Sequence, residues 1–161
     1  FHSGVTGVVN AVYNQHKITL IVLDNSTTAM TGHQPHPGIG KTMMGEVSAK
    51  VSIEALLRAI GVETVLTVDP LRLPQAIEAV RQADEAPGVS AVIFRSPCIA
   101  VTKPGRPLRV KDSCIGCQRC IREIGCPALF LRDGKAAVDP GLCVGCGLCK
   151  SLCPVKAIEE E

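Results

Sequence analysis

Eight of the nine cysteines in this 161-residue chain fall between Cys114 and Cys153. They form two runs. One reads Cys143-x2-Cys146-x2-Cys149-x3-Cys153-Pro154, and the other reads Cys114-x2-Cys117-x2-Cys120-x5-Cys126-Pro127. Three thiolates two residues apart can close a tight loop round one corner of an iron–sulfur cubane, with backbone N–H groups aimed at the sulfides. Small residues such as Gly145 and Gly147 let that loop close. A fourth thiolate, one helical turn on, points away from its own loop, and the proline after it turns the chain. The chemistry of such a sulfur set is single-electron transfer.

The second run is the bacterial ferredoxin pattern for a 4Fe-4S cluster, in which the fourth cysteine serves the other cluster. That rule assigns Cys114, Cys117, Cys120 and Cys153 to one cluster, and Cys143, Cys146, Cys149 and Cys126 to a second. The two extra residues before Cys126 predict a longer helical turn. Zinc sites use separated Cys-x2-Cys pairs rather than triplets. A disulfide framework needs an oxidising compartment and does not favour such runs. The expectation is therefore two 4Fe-4S clusters in a cytoplasmic protein. Cys98 stands apart and reads as a small buried hydrophobe at a strand end.

A second constellation follows the apolar stretch "ITLIVLD" (18–24). Asn25 offers a neutral oxygen at the carboxyl end of a buried strand, where open α/β sheets bind ligands. The Thr27 carbonyl can turn back to the same ion. Mg²⁺ takes such oxygens and is completed by phosphate; the hydroxyls of Thr27, Thr28 and Thr31 can serve phosphate oxygens. The nearby Gly40-Lys41-Thr42 ends like a phosphate-binding P-loop. That motif needs a glycine at position 35, which is proline here and has no N–H to offer. Lys41 therefore reads as a solvated loop lysine. His33 and His36 lack a third ligand nearby, which argues against zinc. His16 reads as a helix-end residue, and His2 lies near a helix start.

The elements that must position these groups alternate. Val5, Val8, Val9 and Val12 have helical spacing. The strand 18–24 and a long loop, 25 to about 46, follow. Ser52 and Gly61 bound a helix, "ETVLTVD" reads as a strand, Pro74 suits a first helical turn, and "GVSAVIFRSP" reads as a strand. Strand–helix–strand alternation predicts an α/β parallel sheet with helices on its faces. Prolines and a glycine mark a linker over 101–107, dividing residues 1–100 from a small α+β domain over 108–161. Within the latter, "RDGKAAVD" joins the two cysteine runs as a hairpin with an Asp-Gly turn. A chain with 46% apolar residues can build such cores. No Trp, 2% aromatics and a net charge of +2 argue against nucleic-acid partners. No apolar stretch approaches membrane-spanning length.

The stretch "FHSGVTGVVNAVYNQHKITLIVLDNSTTAMTGHQPHPG" together with the cysteine runs and "GCPA" resembles the 2-oxoacid:ferredoxin oxidoreductases, in particular the large (alpha) subunits of the indolepyruvate type. The resemblance covers essentially the whole chain. It implies part of a thiamine-diphosphate-binding domain followed by a two-cluster ferredoxin-like domain, with the x5 spacing belonging to the family. It implies Mg²⁺ on Asn25 and the Thr27 carbonyl. It places "TAMTGHQ", with Thr28, Gly32 and His33, near the diphosphate and substrate, His33 lining the active site. The start of the family's Mg²⁺ motif would precede Phe1, and its thiamine-activating Glu lies on another domain, so the resemblance implies a C-terminal fragment that is inactive alone. The implied reaction is oxidative decarboxylation of an aryl 2-oxoacid, such as indolepyruvate, to an acyl-CoA. Coenzyme A, an external ferredoxin and a smaller beta subunit are the implied partners. Two alternatives compete: a two-cluster electron carrier fused to a non-catalytic docking domain, and a P-loop ATPase with an inserted ferredoxin unit.

Overall fold

A computed structural model describes the backbone from His2 to Glu161. Phe1 and the side chains of His2 and Thr31 lie outside the described residues, and with them the expectations for His2 and the Thr31 hydroxyl. The chain divides into two compact units, residues 1–70 with 74–101, and residues 71–73 with 102–161. Residues 102–107, expected as linker, thus count with the second unit.

The first unit is a parallel sheet of β1 (Ile18–Asp24), β2 (Thr64–Val68) and β3 (Val89–Arg95), in the order β1-β3-β2. Its helices are α1 (Val5–Tyr13), α2 (Ile53–Ile60) and α3 (Leu73–Glu85). The middle strand explains the run "VSAVIF", apolar but for Ser90: a parallel strand covered on both faces has no polar side to show to solvent. Ala91, Val92 and Ile93 are wholly buried. Val89, Ala91 and Ile93 share a core with Val8, Ala11, Leu57 and Val62, on the α1 and α2 side. Val92 packs on the opposite side against Ala79 and Ala83 of α3, whose alanines let helix and sheet approach closely. Ser90 is buried among them, and its hydroxyl donates to the Ala83 carbonyl at 2.6 Å. The Ser52 hydroxyl caps α2 by accepting from the Ala55 N–H at 3.1 Å, and Gly61 ends the helix at φ 105°. On α1 the buried face is Val8 and Ala11, whereas Val9 remains 48% exposed, because its position is turned about 100° from Val8 round the helix.

The second unit has β4 (Leu108–Val110), α4 (Arg119–Arg122), β5 (Leu129–Arg132), β6 (Lys135–Val138), α5 (Leu148–Leu152) and β7 (Ile158–Glu160). β5 and β6 form the expected hairpin, and Asp133 and Gly134 both take positive φ in its turn, as a type I′ geometry requires. β4 pairs antiparallel with β7. The internal repeat of the sequence is a repeat in space. The Asp139 N–H donates to the Ala128 carbonyl at 2.8 Å, and the Lys111 N–H donates to the Ala157 carbonyl at the same distance. Ala128 and Ala157 follow Cys126-Pro and Cys153-Pro respectively, and both are buried.

The glycine inside each cysteine loop has a specific reason. Gly116 and Gly145 take φ of 67° and 69°. A β-carbon at Gly116 would collide with the Gly134 carbonyl oxygen; one at Gly145 would lie 2.5 Å from the Arg106 carbonyl oxygen and 2.7 Å from the Gly105 carbonyl carbon. Gly145→Ala is expected to destabilise the second unit by about 2 kcal/mol or more, since it combines left-handed strain with a backbone collision. Gly7→Ala, in open space on the exposed side of α1, is expected to stabilise by about 0.5–1 kcal/mol. Chemical denaturation of the two variants checks both signs.

Candidate functional site

The carboxyl ends of β1 and β3 open onto a cleft of about 780 Å³. Asp24, Asn25, Ser26, Thr27 and Thr28 line one side, His36, Pro37 and Gly38 another, and Lys50, Ser52, Ile53, Glu54 and Arg95 close it. The loop leaving β1 is held by its own polar atoms. Asp24 Oδ1 accepts from the Ser26 N–H and Asn25 Oδ1 from the Thr27 N–H, each at 3.2 Å. The Asn25 carbonyl accepts from the Cys98 N–H at 2.9 Å. Arg95 joins two carboxylates, Asp24 and Glu54, each at 2.8 Å. Arg95 chiefly, with the Thr67 hydroxyl adding, holds the Glu54 carboxyl down at about 2 against the opposing effect of burial.

Three of the expected site residues, Asn25, Thr27 and Thr28, meet in this cleft. Gly32 and His33 are exposed and outside its lining; His36 is inside, its Nδ1 accepting from the Gly38 N–H at 3.2 Å. The cleft also recruits Lys50, Glu54 and Arg95, which no motif announced. Lys41 is exposed, as expected, because Gly40–Ser48 folds into a small hairpin: Lys41 bridges Val47, and the Ser48 N–H donates to the Gly40 carbonyl at 3.0 Å. The next helix begins at Ile53, so Gly40-Lys41-Thr42 does not open a helix as a P-loop does. An amide oxygen, hydroxyls, a lysine and an imidazole round one cleft suit a hard cation with a phosphate-bearing ligand.

In the second unit Cys120 and Cys149 are each the second residue of a short helix, α4 and α5, and both are buried. Cys117 and Cys146 are exposed at the loop tips. Burial pushes the Cys120 thiol up, and charge on Cys153, Cys114 and Cys117 adds to it. Burial likewise pushes Cys149 up to about 11, with Cys146, Cys143, Cys120 and Cys126 as its charged neighbours. The neighbours of each buried thiol thus include the three partners that the cross-ligation rule assigns to it. Two sulfurs already accept backbone N–H groups: Cys143 from Leu108 at 3.4 Å and Cys153 from Ala157 at 3.2 Å. Cys98 is half-buried and lies in the other unit. Among the described residues, no group of three His, Cys, Asp or Glu side chains is drawn together tightly enough to hold a single metal ion.

Comparison with known families matches residues 1–94, more than half of the chain, to the C-terminal TPP binding domain of thiamine pyrophosphate enzymes. The chain belongs to that family. Residues 136–159 match a 4Fe-4S binding domain, which takes in Cys143, Cys146, Cys149 and Cys153; the first cysteine run lies outside that match. Over its whole length the chain is 43% identical to the indolepyruvate oxidoreductase subunit IorA of Methanothermobacter thermautotrophicus. Over 98% of its length it is 40% identical to the subunit of the same name from Archaeoglobus fulgidus. It spans 26% of either relative. A 56-residue stretch, 35% of the chain, is 43% identical to 65% of the pyruvate synthase subunit PorD of Methanothermobacter marburgensis. A thiamine-pyrophosphate domain and a 4Fe-4S domain therefore share one chain, beside a mixed α/β fold with a parallel sheet. Among the described residues no helix is long and apolar enough to cross a membrane.

Two outcomes follow from these geometries. Glu54 is depressed from its ordinary 4.5 to about 2, so its pairing stabilises the fold fully above about pH 4.5 and is lost as the pH falls toward 2. Glu54→Gln is expected to remove about 1–2 kcal/mol at neutral pH and to flatten acid unfolding across that window, as read by circular dichroism. In the metal-free protein, iodoacetamide is expected to modify Cys117 and Cys146 before Cys120 and Cys149, with peptide mass spectrometry giving the order.

Proposed function

We infer that this chain is part of a thiamine-diphosphate-dependent 2-oxoacid:ferredoxin oxidoreductase of the indolepyruvate type. The observation that carries this reading is full-length similarity to indolepyruvate oxidoreductase subunits in a chain that joins a TPP-binding domain to two cysteine runs. The net reaction takes a 2-oxoacid, coenzyme A and two oxidised ferredoxins to an acyl-CoA, carbon dioxide, a proton and two singly reduced ferredoxins. The substrate is an arylpyruvate such as indolepyruvate. A smaller beta subunit completes the enzyme, and the reducing conditions its thiols need place it in the cytoplasm.

In this reading Cys114, Cys117, Cys120 and Cys153 hold one 4Fe-4S cluster, and Cys143, Cys146, Cys149 and Cys126 the other. The grouping of charged neighbours round Cys120 and Cys149 supports it. Both buried thiols must lose protons when iron binds, so assembly releases protons. Asn25 Oδ1 and the Thr27 carbonyl hold Mg²⁺, while Thr27 and Thr28 present hydroxyls to the diphosphate, with Gly32 and His33 nearby. When bound, thiamine diphosphate supplies the nucleophilic carbon and the electron sink that decarboxylation of a 2-oxoacid requires. The chain's residues bind and orient it and carry the electrons away. The match of residues 1–94 to a TPP-binding domain favours this over a docking domain joined to an electron carrier.

Anaerobic reconstitution is expected to load about eight irons per chain. In the complete enzyme, Asn25→Ala is expected to weaken thiamine diphosphate binding at least tenfold in calorimetry, because one neutral oxygen ligand of the metal is gone. Zinc in place of iron, or unchanged cofactor affinity in Asn25→Ala, would contradict the assignment.

A further inference from the structure

We propose that Arg95 is the positioning residue of the metal and diphosphate loop, setting the backbone of residues 24–27 through Asp24; this rests on the functional reading above. Strand register places Arg95 directly beside Asp24 across the β1–β3 pair. The Asp24 carboxylate is divided between two tasks. Its Oδ2 takes the Arg95 guanidinium at 2.8 Å, and its Oδ1 accepts from the Ser26 N–H at 3.2 Å.

Ser26 has φ 61°, a left-handed conformation that a residue with a β-carbon does not favour. It lies between Asn25 and Thr27, the two residues whose oxygens the metal requires, so its conformation fixes how far apart and in what direction those oxygens point. The bond from Ser26 to Asp24 holds that conformation, and the bond from Asp24 to Arg95 holds the carboxylate that accepts it.

Arg95 is itself fixed from two further sides. Its second nitrogen meets Glu54 at 2.8 Å, at the start of α2, and Glu54 also accepts from the Thr67 hydroxyl at 3.1 Å. One guanidinium thus links the carboxyl end of β1 to the first turn of α2, beside β2. Its single positive charge is shared between the two carboxylates and offsets part of the negative charge that stands at this end of the cleft. Arg95 binds no part of the cofactor in this scheme; it acts through Asp24 and Ser26.

Positioning and direct contact separate in one double variant. Thiamine diphosphate binding to the complete enzyme is measured by calorimetry at saturating Mg²⁺ for wild type, Arg95→Met, Arg95→Lys, and Arg95→Met combined with Ser26→Gly. Arg95→Met is expected to weaken binding about tenfold, the cost of a left-handed residue that has lost its support. Arg95→Lys, which keeps the charge but loses the planar fork whose separate nitrogens reach Asp24 and Glu54, is expected to fall between. Ser26→Gly is expected to restore most of the affinity in the Arg95→Met background, since glycine takes φ near 60° freely. A direct diphosphate ligand would show no such recovery. Should Arg95→Met not fold, Asp24→Asn gives the same test, because it keeps an oxygen for Ser26 and loses the ion pair. Equal affinity in wild type and Arg95→Met, or no recovery with Ser26→Gly, would overturn the role of Arg95 alone. Absence of binding by the wild-type enzyme would overturn the functional reading and this inference with it.

Discussion

The in-register parallel pairing of β1 with β3 is the constraint from which the first unit follows. It sets Ile18 against Val89 at one end and Asp24 against Arg95 at the other. At the first end Val89 of the middle strand is buried while Ile18, on the edge strand, is 42% exposed, so β1 is not the buried strand its apolar run suggests; at the last end the two strands carry opposite charges facing a cleft. A slip of one residue would turn the buried side chains of β3 onto the wrong faces. It would also part the carboxylate from the guanidinium. The core and the cleft therefore share one specification, and burial of Ala91, Val92 and Ile93 is what enforces it.

A different constraint governs the second unit. Each cysteine loop must fold back on a backbone segment with no room for a β-carbon, the Gly134 turn in one half and Gly105–Arg106 in the other. Each half then places a left-handed residue, Gln118 or Gly147, before a short helix that buries the third cysteine. Eight thiols in so small a volume repel one another once ionised. In the proposed function iron takes up those thiolates and relieves that repulsion.

Much of this architecture was legible in the chain itself. The caps at Ser52 and Gly61, the Asp-Gly hairpin and the largely apolar strand 89–94 are local signals with local causes, and they marked the elements within a residue or two. The cysteine runs spoke through spacing alone. What stayed hidden depends on distant partners. β4 is three residues long and finds β7 some fifty positions away, so no periodicity exposed it. The Arg95 links to Asp24 and Glu54 join positions remote in sequence. His36 rather than His33 faces the cleft because loop backbone decides side-chain direction, and His33 sits at φ 62°. Lys41 drew attention by its glycine and threonine neighbours, yet a hairpin holds it, and Lys50 lines the cleft in its place.

In the proposed function, carbon chemistry at the cleft of the first unit feeds electrons into the sulfur-bound iron of the second. Low-temperature electron paramagnetic resonance of the anaerobic, oxidised complete enzyme, mixed with indolepyruvate and coenzyme A, tests it directly. The account predicts the spectrum of reduced 4Fe-4S clusters when thiamine diphosphate and Mg²⁺ are bound, and no such spectrum when they are removed. Cluster reduction that proceeds equally without thiamine diphosphate, or clusters that stay oxidised in its presence, would contradict it.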